Sequence, residues 1–253
     1  MPSAPISHDG QTLDIAYADE GSGFPVLLIH GFASTKEVNW INTGWFKALN
    51  AAGFRAIAFD NRGHGASTKF HSEADYSLSR MAGDALALLD HLEIAKAHVV
   101  GYSMGARIAC SLAISNGERL DRVVLSGNGW GMVEGTGDWT PVRDALLAPS
   151  LADVTDPRGR AFRSFADQTK SDRVALAACV TSVRQIFTQE ELARIGNEVL
   201  VAIGTQDEIA GSGERLAAAL PHGDYLPIPG RDHMKAVGDK VHVAGVVEFL
   251  SRP

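Results

Sequence analysis

A serine hydroxyl is a poor nucleophile until a base takes its proton and a third group orients that base. One serine stands in a setting that suits this chemistry, Gly101-Tyr102-Ser103-Met104-Gly105. The apolar run His98-Val99-Val100 leads into it, and a helical pattern begins at Met104. Between a strand and a helix, Gly-x-Ser-x-Gly forms a strained turn that pushes the serine oxygen out. Its flanks must be small because the turn is tight. The serine would also stand at a helix N-terminus, where free N–H groups favour negative charge. The bland alternative is a glycine-rich turn with Ser103 as a helix cap. The strand-to-helix context favours the nucleophile.

The base must come from nine histidines. His233 follows Pro229-Gly230-Arg231-Asp232 after the last apolar run and precedes the final helical pattern. His222 precedes that run and His242 falls inside the final helix, so both are worse placed. His8, His71, His91 and His98 have no supporting context. The orienting acid is Asp207, which follows the run Val199–Ile203 through Gly204-Thr205-Gln206. That is the carboxyl end of a strand, where the crevice of an open α/β sheet lies. Glu208 is its neighbour and competitor, whereas Asp232 adjoins His233 too closely to reach back to the ring. An oxyanion needs two backbone donors. The amides of Met104 and of Phe32, in the turn His30-Gly31-Phe32, are the expected pair, and Gly31 lets the chain pass close to the reacting carbonyl.

These residues require a scaffold of buried strands ending at one edge. Short apolar runs supply it: Val26–Ile29, Phe54–Phe59, His98–Val100, Arg122–Leu125, Val199–Ile203 and Tyr225–Ile228, each closed by turn residues. Such runs suit parallel strands covered on both faces. Helical patterns alternate with them. Over Leu78–Leu92, Met81, Ala85, Leu88, Leu89 and Leu92 fall on one face. Met104–Ile114 and Val237–Leu250 read similarly, and Thr12–Tyr17 reads as an edge strand. From Trp130 to about Glu190 there is no convincing strand, only helical patterns near Arg158–Gln168 and Asp172–Ile186. A loop of that length without structure is improbable in a compact domain. Residues 130–190 are therefore read as a helical cap inserted into a core of residues 1–129 and 191–253.

Composition sets the outer bounds. The 253 residues carry a net charge of −7, with a pI near 5.7, which argues against nucleic acid or an anionic membrane surface as partner. Two cysteines, Cys110 and Cys179, make no disulfide framework. No apolar run approaches the roughly 18 residues of a membrane span, and no signal peptide is evident. A cytoplasmic monomer or homodimer is the expectation.

The chain resembles the α/β-hydrolase fold superfamily, in its subgroup of small esterase-like, C–C-hydrolase-like and haloperoxidase-like enzymes. The resemblance rests on His30-Gly31-Phe32, Asp60-Asn61-Arg62-Gly63-His64-Gly65-Ala66-Ser67, the Ser103 motif, Gly204-Thr205-Gln206-Asp207 and Gly230-Arg231-Asp232-His233. The order serine, acid, histidine is that of this superfamily. The resemblance implies an α/β fold with an eight-stranded, mostly parallel sheet and a cap after the sixth strand. The resemblance is unspecific for substrate; the residues are read as those of a serine hydrolase acting on a small carboxylic ester, with no metal or cofactor. A dehalogenase or epoxide hydrolase would carry Asp at position 103. Asp60 and His64 suggest a metal pair, but no further ligands cluster near them and the turn is read as a brace. Trp130, Trp139, Phe162, Phe165 and Phe187 are candidates for lining an acyl pocket. A C–C bond hydrolase would use the same triad, with Arg143, Arg184 or Gln185 to recognise a dienoic acid. A perhydrolase and a small-molecule sensor are the remaining alternatives.

Overall fold

The computed structural model describes residues 2–253. Two antiparallel strands, β1 (Ser3–His8) and β2 (Gln11–Glu20), form one edge of an eight-stranded sheet. Then follow β3 (Phe24–Ile29), α1 (Trp45–Ala51), β4 (Phe54–Phe59), α2 (Leu78–His91), β5 (Ala97–Tyr102), α3 (Met104–Asn116) and β6 (Leu120–Ser126). The strand order is β1-β2-β4-β3-β5-β6 and continues through β7 (Glu198–Gly204) to β8 (Gly223–Ile228), with α9 (Gly213–Ala219) between those two. All pairs from β4 to β8 are parallel. The fold is that of an α/β hydrolase: a mostly parallel eight-stranded sheet flanked by helices.

Side-chain alternation along the strands builds a core on each face. Leu27 and Ile29 of β3 belong to one buried cluster with Met81, Leu88 and Ile108 from α2 and α3. Val26 and Leu28, one position out of phase, meet Trp45 of α1 and Phe249 of α10 (Lys240–Leu250). Strands buried on both faces explain why the runs are continuously apolar rather than alternating.

Between β6 and β7 no strand occurs. The segment holds α4 (Gly131–Glu134), α5 (Thr140–Leu147), α6 (Pro157–Gln168), α7 (Arg173–Ser182) and α8 (Gln189–Leu192). Asp156 caps α6 by accepting the Gly159 N–H, with Pro157 at the first helical position. Asp172 caps α7 and also meets His71 of the base, Nε2 to Oδ2 2.8 Å. Ser182 donates to the Glu73 carbonyl and Thr169 to the Ala33 carbonyl, so α6 and α7 are tied down on the site side of the sheet. No helix among the described residues is long and apolar enough to cross a membrane.

Several boundaries differ from expectation. β1 has no counterpart in the sequence reading, because Pro2, Pro5 and the short Ser-Ala-Pro-Ile-Ser stretch weaken its alternation. The helix expected from Val237 starts at Lys240, capped by Asp239, since residues 233–239 instead form the loop that carries His233. The helix expected over Asp172–Ile186 ends at Ser182.

Candidate active site

Ser103 lies directly after β5 with φ 55° and ψ −112°. A positive φ at a non-glycine residue is strained, and it turns the side chain away from the helix that follows. The turn closes only because its flanks are glycines. A Cβ on Gly105 would lie 1.9 Å from the Ile29 carbonyl oxygen, and one on Gly101 2.2 Å from the Gly105 oxygen. Ser103 makes no cap bond with its side chain. Its Oγ meets His233 Nε2 at 2.9 Å instead.

His233 Nδ1 lies 2.7 Å from Asp207 Oδ2. Asp207 has no side-chain exposure, and its other oxygen accepts the N–H groups of Ile209 and Ala210. With the carboxylate as acceptor, Nδ1 carries the proton and Nε2 faces the serine as a base. The loops of the acid and the base are laced together: Gln206 N–H donates to the Arg231 carbonyl and Gly230 N–H to Thr205 Oγ1. A side chain at Gly204 would strike the Arg231 carbonyl, 2.1 Å from a Cβ, so this strand end must be glycine for the two loops to meet.

The turn His30-Gly31-Phe32, the candidate oxyanion site, is fixed just as firmly. Gly31 N–H donates to Asn39 Oδ1 at 2.8 Å, and His30 Nδ1 to the Gly31 carbonyl at 2.8 Å. A Cβ on Gly31 would come within 3.3 Å of Ser103 Cβ. Among the described residues no backbone carbonyl accepts the Phe32 N–H, and Met104 opens α3, so its N–H has no partner in the helix. Behind this turn, buried Asp60 accepts from the Lys36 amide and ammonium and from the Ala66 amide. Its carboxyl is held below the usual range: burial opposes ionisation, but the neighbouring His30 and Lys36 and two amides outweigh it. Buried His64 donates through Nδ1 to the Arg62 carbonyl, and burial lowers its pKa to about 3. The Asp60–Ser67 turn thus braces the loop that carries Phe32.

A cavity of about 40 Å³ opens beside Ser103 and His233. Gly31, Phe32, Phe162 and Phe165 line it, and so do Tyr102, Ser34, Asn39, Met234 and Val237. The structure therefore brings together two of the five cap aromatics. Trp130, Trp139 and Phe187 are not on its wall. Trp130 is buried and carries the Arg215 guanidinium on its face at 4.1 Å. Trp139 stands behind Phe162, with ring centroids 5.3 Å apart, and carries Arg184 on its face at 3.4 Å. Phe187 is buried near Arg107. Trp130 and Phe187 pack residues 130–190 against the rest of the chain, while Trp139 packs within that segment. Arg143 pairs with exposed Asp144, while Arg184 stacks on Trp139, and neither reaches the cavity with Gln185.

Nothing in the sequence singles out Ser34, Asn39, Tyr102, Met234 or Val237, which also line the cavity. Tyr102 lies inside the serine motif at a position the pattern leaves free. Met234 directly follows the base. Asn39 had no local signal, because its role depends on a turn eight residues away folding back on it.

The sequence pattern of the alpha/beta hydrolase fold matches residues 25–148. With that match, the fold and the relatives below, the chain belongs to the alpha/beta-hydrolase family. BpoC of Mycobacterium tuberculosis, whose name makes it provisionally a non-heme bromoperoxidase, is 31% identical over 245 residues, 88% of this chain and 91% of its own. A 2-hydroxymuconate semialdehyde hydrolase from Pseudomonas putida is 37% identical over 228 residues, 83% of this chain and 78% of its own. The crystal structure of an enol-lactonase from Burkholderia xenovorans LB400 superposes with a TM-score of 0.79 at 22% identity, covering 99% of this chain and all of that one.

Proposed function

We propose that the chain is a serine hydrolase that cleaves small carboxylic esters through an acyl-enzyme on Ser103. The observation that carries this reading is the unbroken row Ser103 Oγ, His233 and Asp207 Oδ2, with contacts of 2.9 and 2.7 Å, beside the free amides of Phe32 and Met104. Ser103 Oγ attacks the ester carbonyl while His233 Nε2 takes its proton. The tetrahedral oxyanion forms against the two amides. Its collapse breaks the bond to the alcohol oxygen, and His233 returns the proton to that leaving group. Water, deprotonated by His233, then attacks the acyl carbon; the acid departs and Ser103 regains its hydrogen. Asp207 holds the imidazole in the required tautomer and stabilises its charged form.

The cavity supports a small, uncharged acyl group. Its wall is mainly apolar, and no lysine or arginine contributes to it. Likeness to the 2-hydroxymuconate semialdehyde hydrolase favours a second reading, C–C bond cleavage on the same triad. A panel of p-nitrophenyl esters of graded acyl length, run beside a meta-cleavage dienoate, decides between them. The ester reading expects many turnovers on acetate to butyrate and an organophosphonate adduct on the Ser103 peptide alone. Turnover of the dienoate with esters inert would replace it with the second reading.

A further inference from the structure

His242 on α10 is fully buried, and no step of the hydrolysis uses it. Its Nδ1 lies 3.1 Å from the Ala236 carbonyl and 3.2 Å from that of Val237. Two acceptors at Nδ1 require a proton there. Nε2 then accepts from the Ser126 hydroxyl at 2.8 Å. Burial holds the ring neutral by lowering its pKa to about 4. Ser126 closes the other half of the arrangement, because its carbonyl accepts the Ser103 N–H at 2.8 Å. From the residue before the serine, the Tyr102 hydroxyl donates to the His233 carbonyl at 2.5 Å.

These bonds make a ring. It runs from the Ser103 amide to Ser126, through His242 to the carbonyls at 236 and 237, along the loop to the His233 carbonyl, and through Tyr102 back to Ser103. Trp45 reinforces it with a bond from Nε1 to the Val237 carbonyl at 2.9 Å. The loop needs such support. Residues 229–239 belong to no helix or strand, and Met234 beside the base is 56% exposed. One neutral bond between imidazole and hydroxyl, worth about 1 kcal/mol net, does not fix a loop by itself. Gly127, at φ +61°, leaves the room that the Tyr102 ring occupies; a Cβ there would lie 2.9 Å from Cζ.

We propose that Tyr102, Ser126 and His242 are positioning residues that fix the His233 main chain against the Ser103 main chain and so set the distance over which the serine proton moves. This rests on the triad reading above. If the bonds merely satisfied buried polar groups, their loss would lower stability and leave the rate of folded enzyme unchanged.

The test uses the full chain, p-nitrophenyl acetate and active sites counted by phosphonate end-point titration. Tyr102→Phe and His242→Leu should each lower kcat per titrated site roughly 10- to 100-fold, with KM within about twofold, the signature of misplaced reacting groups. His242→Asn, whose amide N–H can take the place of Nδ1–H, should recover most of that loss. The double variant Tyr102→Phe with His242→Leu should lose less than the product of the single losses, since both release one loop. Unchanged kcat per site with a lowered Tm overturns the proposal. If His242→Leu does not fold, Tyr102→Phe, which removes a single oxygen, decides. Ser103→Ala separates the two levels: full activity there overturns the triad reading and the ring together, whereas an inactive Ser103→Ala beside a fully active Tyr102→Phe overturns the ring alone.

Discussion

At Ser103 the backbone is strained and the imidazole lies 2.9 Å from the hydroxyl, beside a cavity that Gly31 and Phe32 also line. Single-atom changes are therefore informative. Asp207→Asn keeps the shape of the acid but presents a donor to His233 Nδ1 and favours the wrong tautomer. The equivalent change in a serine protease costs about 10⁴-fold in kcat. A similar loss is expected here, read as kcat on p-nitrophenyl acetate, and near-normal kcat would transfer the role to Glu208 or another carboxylate. The oxyanion turn allows a sharper comparison because the backbone, not the ring, is assigned the work. Phe32→Ala should stay within roughly tenfold of the parent in kcat, while Phe32→Pro, which deletes the N–H, should fall a further 10²–10³-fold. Proline also restricts Gly31, so circular dichroism must show both variants folded. Equal rates in the two variants would leave the His30-Gly31 turn a purely structural feature.

Strands, helices and loops differ in how much of this could be read from the chain itself. The buried strands and α2, α3 and α6 announce themselves by apolar runs and helical spacing, and the candidate serine, acid and histidine follow because each stands just past a strand end. α1 and α9, each seven residues, are too short for a periodic pattern to emerge. The cap aromatics were beyond reach for a different reason. Phe162 and Trp139 are both apolar, both on cap elements and in contact with each other, yet only Phe162 faces Ser103. Which of two stacked rings faces the cavity depends on the docking of α6 onto the loop after β3, where Phe162 meets Phe32 and Thr169 donates to the Ala33 carbonyl, long-range contacts that no local spacing encodes. α6 thereby acquires a testable role in selecting acyl length. Phe165→Ala should enlarge the acyl end, each further methylene accommodated being worth about 0.8 kcal/mol, roughly fourfold in kcat/KM. The ratio of hexanoate to acetate hydrolysis should rise more than tenfold, with Trp130→Phe as a cap variant remote from the cavity. An unchanged ratio would take Phe165 off the substrate path.

Across the whole molecule, the same burial that builds the site fills the interior with neutral histidines. Burial lowers the pKa of His64, in the turn after β4, to about 3, and that of His98 on β5 and His242 on α10 to about 4. Each ring has an unfolded value near 6.5, so the unfolded chain binds protons that the folded chain refuses. Stability is therefore full above about pH 6.5 and declines as the pH falls toward 4. For His98 or His242 alone that interval corresponds to about 3 kcal/mol, a large share of the 5–15 kcal/mol typical of a domain. His98 is the cleanest probe, because it stands at the start of β5 between Phe24 and Phe54, away from Ser103. Its Nδ1 accepts the Arg122 N–H, which protonation would forbid. Urea unfolding at pH 7.0, 6.0, 5.0 and 4.5 should show free energies that fall steadily below pH 6.5. His98→Gln removes one of the titrating groups, so the slope between pH 6 and 4.5 should shrink by up to one proton, about 1.4 kcal/mol per pH unit. Its stability at pH 7 will be lower from lost packing, and the two curves should converge as the pH falls. Parallel curves across that range would mean that His98 takes up its proton without unfolding, and that acid sensitivity arises elsewhere in the protein.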